Sequence, residues 1–297
     1  MRKALRILGR ILLVLVLLIA VAVATLYFLA QRRLNKSWQV AVPSITVPAD
    51  ADAVARGKKI VTAYVPCGDC HGADFGGKEM LDDTVMGRLW ASNLTRGRGG
   101  IAATYTDGDW VRTFLHGVKP DGHTVVFMPS HEFHLTEADT ADVIAFFRAA
   151  PPIDRERPAT RIGPMAAALS FVGMPLFPAE LIDHEHVGFV PVVVRVTAVD
   201  RGHDLVLKAA CHGCHKPDLT GGGGPPPGAS NITPTGIGTW QPSDFLRALR
   251  EHKRPNGSAI DEAMPRGYGQ LSDDELQDIF AYLKTVPAKG SKTKRQM

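Results

Sequence analysis

The stretch Cys211-His212-Gly213-Cys214-His215, with its earlier twin Cys67-Gly68-Asp69-Cys70-His71, decides how the rest of the chain is read. Each has the form C-x-x-C-H, the pattern for covalent attachment of a c-type haem. Two residues between the thiols let the backbone turn so that both sulfurs meet one porphyrin edge. The histidine that follows is then delivered beneath the iron. A redox C-x-x-C pair or half of a zinc site needs no histidine directly after the second cysteine, and here it occurs twice. The two motifs use all four cysteines, leaving none for disulfides or for an all-cysteine zinc site. The expected cofactors are two haem c groups, one on Cys67 and Cys70 with His71 as iron ligand, the other on Cys211 and Cys214 with His215.

A length of 297 residues suggests two domains at ~150 residues each, and Cys211 follows Cys67 by 144 positions. A net charge of +4, lowered further by haem propionates, implies no nucleic-acid partner. Near the N-terminus, Ile11 to Ala30 are twenty apolar or small residues without a charge, preceded by Arg2, Lys3, Arg6 and Arg10. At ~1.5 Å per residue such a helix spans the ~30 Å hydrocarbon core. A signal peptide cleaved at Ala22-Val23-Ala24 is the competing reading, but its apolar region would exceed the usual ~7–15 residues. Residues 1–36 are therefore expected to be an uncleaved single-pass anchor. Haem c is attached outside the bacterial inner membrane, so the haem domains are expected in the periplasm, with Trp38 near the outer interface. Residues 37–50, with Pro43 and Pro48, read as a spacer lifting the globular part off the bilayer.

The remainder reads as one helical unit used twice. Asn93-Leu94-Thr95 answers Asn231-Ile232-Thr233, and Gly100-Ile101 answers Gly236-Ile237. Both Asn-x-Thr triplets match the glycosylation pattern but fit structural loop motifs better. Thr106 and Asp109 have capping-box spacing before Trp110, Val111 and Phe114, and Ser243 is expected to start the equivalent helix. Thr136 opens the closing helix of the first copy, and Ser272 with Glu275 caps that of the second, 136 residues later. The expected division is 51–152 and 196–288 for the two domains, 153–195 for a linker and 289–297 for a basic tail. In the linker, the apolar patch Met165 to Leu176 is too short to span a bilayer and is expected to pack against one or both domains, with membrane contact or a docking surface for a partner as the alternative. Asp183-His184-Glu185-His186 has no further ligands placed by spacing to make a metal site. Gly221 to Gly224 runs into Pro225-Pro226-Pro227 and lacks the Gly-Lys-Ser/Thr of a phosphate loop.

The ligand on the second face of each iron separates carriers from catalysts. Met128-Pro129 and Met264-Pro265 occupy the same place in the repeat, seven residues before Leu135 and Leu271. Thioether sulfur favours ferrous iron and raises the potential, and the following proline stiffens the loop. Met264 is the expected sixth ligand of the second haem and Met128 that of the first, where His123, His131, His134, Met80 and Met86 compete. Trp90 and Trp240 are candidate donors to the propionates, with buried packing as the alternative.

These residues, together with Thr235-Gly236-Ile237-Gly238-Thr239-Trp240 and Ala263-Met264-Pro265, resemble membrane-associated multihaem c-type cytochromes. Members of that family accept electrons from bacterial periplasmic alcohol- or aldehyde-type dehydrogenases. The resemblance covers about residues 51 to 287. It implies an all-α fold, with two tandem class I cytochrome c domains after the transmembrane helix, and it places Gly57 and Gly202 where the first helix of each domain crosses the last. Such dehydrogenase subunits commonly carry three haems, whereas two motifs are present here. The expected function is relay of single electrons from a periplasmic dehydrogenase or other respiratory donor to a cytochrome c or terminal oxidase, with no catalytic residue. The enzymatic alternative is a dihaem peroxidase with one open iron site; a haem sensor would need an output module.

Overall fold

The computed structural model describes residues 2–223 and 228–289; the proline run after Gly223 and all but Lys289 of the basic tail lie outside them. Helix α1 (Arg2–Leu34) is continuous, and its apolar side chains from Leu5 to Val21 stand half or more exposed. Its best window has a mean hydropathy of 3.0, so by length and composition it can cross a membrane.

The first core begins with α2 (Ala51–Lys59), whose cap Asp50 accepts from the Ala53 amide at 2.8 Å. A wider helical turn, Ile60–Tyr64, leads into α3 (Cys67–His71). An antiparallel sheet of three short strands follows: β1 (Glu79–Asp83), β2 (Gly87–Trp90) and, from far along the chain, β3 (Arg161–Ile162). The fold is therefore helix-rich rather than all-α. Asp83 sets the hairpin by accepting from the Val85 and Met86 amides at 2.7 and 2.6 Å. Glu-Met-Leu-Asp-Asp carries no β-branched or aromatic residue, so the strand has no sequence signal. Helices α4 (Asp107–His116) and α5 (Glu137–Ala149) both open with capping boxes, Thr106 with Asp109 and Thr136 with Asp139. Trp110 stacks on Phe147 at 5.5 Å, within a core that includes Val61, Phe75, Leu94, Phe114 and Ile144.

After the linker helix α6 (Pro164–Leu169) come α7 (Ala198–Lys208), α8 (Cys211–His215), α9 (Pro234–Ile237), α10 (Pro242–Glu251) and α11 (Asp273–Thr285). Helix α10 starts ahead of Ser243: Gln241 is the cap, boxed with Asp244, and Pro242 takes the first helical position, where its fixed φ suits. Ser272 and Glu275 form the expected box on α11. Val206, Ile237, Phe245, Leu276, Ile279 and Leu283 build a second core.

Two connecting segments are more tightly held than expected. In the stretch 37–50, Val42, Ile45 and Val47 pack on the first core, and the Trp38 amide donates to the Gly122 carbonyl at 2.8 Å. It is a strap, not a free spacer, because its apolar side chains find cover. The apolar linker patch packs on the first half, as expected, and also on the end of α1: Met86 and Val126 join its cluster, and the Phe127 amide donates to the Leu176 carbonyl at 3.0 Å. Ala166, Ala167, Leu176 and Phe177 enclose Ala30 in a third cluster, joined by Met86.

Candidate haem sites

Each histidine of a C-x-x-C-H motif is oriented by a backbone carbonyl. His71 Nδ1 lies 2.7 Å from the Ser92 oxygen, and His215 Nδ1 lies 2.6 Å from that of Ser230. A carbonyl can only accept, so Nδ1 carries the proton and Nε2 keeps a lone pair, the form a metal needs. Burial lowers the pKa of both rings, outweighing the opposite pull of those hydrogen bonds.

The carbonyl is placed by the residue after it. Asn93 Oδ1 accepts from the Thr95 amide and hydroxyl at 2.9 and 2.8 Å, and Asn231 Oδ1 from those of Thr233 at 2.8 and 2.7 Å. Asn93 is buried and Thr95 fully so, which fits a structural loop and not a glycan acceptor. The loop after each histidine also has one form. Gly72, Phe75 and Gly77 have positive φ, as do Lys216, Leu219 and Gly221, and each third residue's amide bonds back to the histidine carbonyl (2.8 and 2.9 Å).

Met264 lines the same cavity as Cys211, Cys214 and His215, a space of about 750 Å³ walled by Ile237, Trp240, Phe245, Leu249 and Ile279. That is within the ~300–1,000 Å³ of cofactor pockets. Burial pushes the Cys211 and Cys67 thiols up to about 12. An apolar cavity, the thiols of Cys211 and Cys214, the imidazole of His215 with Nε2 left free and the thioether of Met264 together match what a covalently bound haem requires.

In the first half Cys67 and Met128 pack on the same core. Two of the competitors named for the sixth position, Met86 and His123, are engaged elsewhere. Met86 belongs to the cluster on α1, and His123 Nδ1 faces the Lys36 carbonyl at 3.3 Å. His131 lies 3.5 Å from the Glu132 carboxylate, and the His134 ring lies 5.2 Å from that of His212. The indole N–H groups of Trp90 and Trp110 are buried without a partner, donors that would suit a propionate, whereas Trp240 lines the second cavity. In the linker, His184 Nδ1 lies 3.0 Å from that of His116, and His186 pairs with Asp183 at 2.8 Å.

The helix crossings lie at Gly57 and Gly202, where the resemblance placed them. A methyl group at Gly57 would stand 2.0 Å from the Asp142 carbonyl oxygen, and one at Gly202 1.9 Å from that of Asp278, so α2 crosses α5, and α7 crosses α11, in backbone contact. Arg56 and Arg201, each just before its glycine, grip Asp142 and Asp278 through two hydrogen bonds apiece. The shared Arg-Gly pair was the available signal. The motifs are also seated crosswise. Gly267, in the turn after Met264, lies against Thr62 and Pro66 ahead of Cys67. Glu132, in the turn after Met128, pairs with His212 at 3.0 Å.

Residues 199–287 match the family model described as Cytochrome c. The chain is 25% identical over 283 residues to the fructose dehydrogenase cytochrome subunit of Gluconobacter japonicus, covering 84% of this chain and 56% of that one. It is 27% identical over 267 residues to a diheme cytochrome c-type protein of Cereibacter sphaeroides (79% and 86% covered). It is also 27% identical over 274 residues to the alcohol dehydrogenase (quinone) cytochrome c subunit of Gluconobacter oxydans (81% and 56%). The chain thus spans little over half the length of the two dehydrogenase subunits. Residues 199–287 form a cytochrome c domain, which implies covalently bound haem c, in a chain that resembles the cytochrome c subunits of bacterial dehydrogenases.

Proposed function

We propose that the chain is a membrane-anchored dihaem electron carrier, working in the bacterial periplasm between a dehydrogenase and a later acceptor. The observation that carries this reading is the recurrence of one constellation: two thiols, a histidine held through Nδ1 by the carbonyl before an Asn-x-Thr turn, and a methionine before proline. On this reading Cys67, Cys70, His71 and Met128 hold one haem, and Cys211, Cys214, His215 and Met264 the other, in tandem cytochrome c domains. Bound haem supplies a one-electron Fe(III)/Fe(II) couple. The chain orients each imidazole, supplies soft sulfur opposite it and walls the site with apolar side chains that exclude water. Names of two relatives as dehydrogenase subunits support the donor class. The exposed apolar run of α1 supports the anchor, with the body on the side where haem c is attached.

A pyridine haemochrome assay on protein matured in a cytochrome-competent host is expected to give two haems per chain. One haem per chain, or colourless protein, overturns the reading. Stopped-flow mixing of the reduced protein with an oxidising cytochrome c should oxidise both haems without a stable high-spin fraction; a peroxide-reactive high-spin haem would favour the peroxidase alternative.

A further inference from the structure

Helix α6 is apolar on every side. Its inner face, Ala166, Ala167 and Ser170, is buried against the last turns of α1. On the opposite side Met165 stands exposed, Ala168 and Leu169 are half-buried, and Phe171 and Val172 follow exposed in the turn after the helix. Met165 is 47% exposed and Val172 78%, with Phe171 at 41% beside them. Val85, at the tip of the β1–β2 hairpin, extends the patch: the Met165 amide donates to its carbonyl at 3.0 Å. A helix apolar all round is buried either in a protein core or in lipid.

The height of this patch along α1 selects between the two. Cover on α1 falls on Leu26, Ala30, Gln31, Arg33 and Leu34, one helical face at the end of the uncharged run. Arg33 fixes the docking from above. It pairs with Glu180, donates to Ser170 Oγ at 3.0 Å and lies 4.8 Å over the Phe171 ring. Arg32, near the end of α1, and Arg161, four residues before Met165, are exposed cationic residues beside these segments in the chain.

We propose that α6 and the Phe171–Gly173 turn form an interfacial foot that sinks Met165, Phe171 and Val172 into the outer leaflet beside α1. The occupant of this apolar face is the bilayer itself, at the ~5–10 Å depth typical of interfacial helices. This rests on the anchor reading, and it adds a second contact that fixes how the haem sites tilt over the membrane.

The native cysteines are taken up by haem, so one introduced thiol can carry a nitroxide on the full chain in vesicles of phosphatidylethanolamine and phosphatidylglycerol. Spin labels on Met165→Cys and Val172→Cys are expected to relax more with oxygen than with an aqueous nickel chelate. Val194→Cys, on an exposed valine outside the third cluster, should show the reverse, and Leu18→Cys should report the bilayer interior. A nickel-accessible Val172 with a lipid-buried Leu18 overturns the foot alone. A nickel-accessible Leu18 overturns the anchor and the foot with it. Dipolar broadening between Val172 labels would show a second copy covering the face, which also overturns the proposal.

Discussion

Lys216 follows His215 with φ 67° and ψ 161°, a conformation normally left to glycine, and Gly72 fills the matching place after His71 with φ 83° and ψ 152°. Strain of this kind costs about 1–3 kcal/mol, offset in part by the ~0.5–1 kcal/mol that glycine loses in chain entropy. Lys216→Gly is therefore expected to stabilise the protein by about 1 kcal/mol in urea unfolding, with the visible spectrum unchanged. Met264→Ala and Met128→Ala should each lower one midpoint in a redox titration and leave the other nearly fixed. The drop should be on the order of 100 mV, a fraction of the ~0.8 V over which axial ligands set haem potentials. Two unmoved midpoints would remove both methionines from the irons. At this scale the proposed cysteines and histidines stand out in the sequence because haem attachment would fix their spacing. The Ser92 and Ser230 carbonyls do not, since any residue offers a carbonyl and only the Asn-x-Thr turn aims it.

Helix crossings repeat the pattern. Backbone contact at Gly57 and Gly202 leaves no room for a methyl group. Each Gly→Ala substitution is expected to cost about 3 kcal/mol or more, because the neighbour is main chain and cannot rotate away. Chemical denaturation of the holoprotein checks this, and a change below 1 kcal/mol would mean the crossing is looser than described. The capped helices were readable from Thr106, Thr136 and Ser272, whose side chains bond the amide three residues on. The sheet was not readable, because β2 pairs with β3 more than seventy residues away and a turn around Asp83 decides the hairpin. Packing of the α6 segment on the first half was expected, but its cover of the end of α1 was hidden, because an apolar run does not say every surface it will meet.

Across the whole molecule, Glu275 ties the two cores together. Burial alone would raise its pKa, but hydrogen bonds from Lys59, Tyr64 and Ser272 hold the carboxyl down at about 2, from an ordinary 4.5. The stabilisation is complete above pH 4.5 and disappears as pH falls through about 2. At ~1.4 kcal/mol per pKa unit, discounted for partial solvent access, it is about 1–2 kcal/mol. Glu275→Gln keeps a side chain able to close the capping box while removing the charge. It should lose that amount at pH 7 in thermal unfolding and match the parent near pH 2. A pH-independent difference would place the effect in the cap instead.

On the dihaem reading proposed above, the crosswise seating of each cysteine motif under the opposite half's methionine turn means that neither redox centre owns all of its walls. A substitution in Arg266–Gln270 alters the surroundings of Cys67 as well as those of Met264, and Glu132 is shared likewise with His212. Chimeras that exchange one half for a relative's are therefore expected to carry mismatched seams and shifted potentials at both irons, unless the two facing turns travel together.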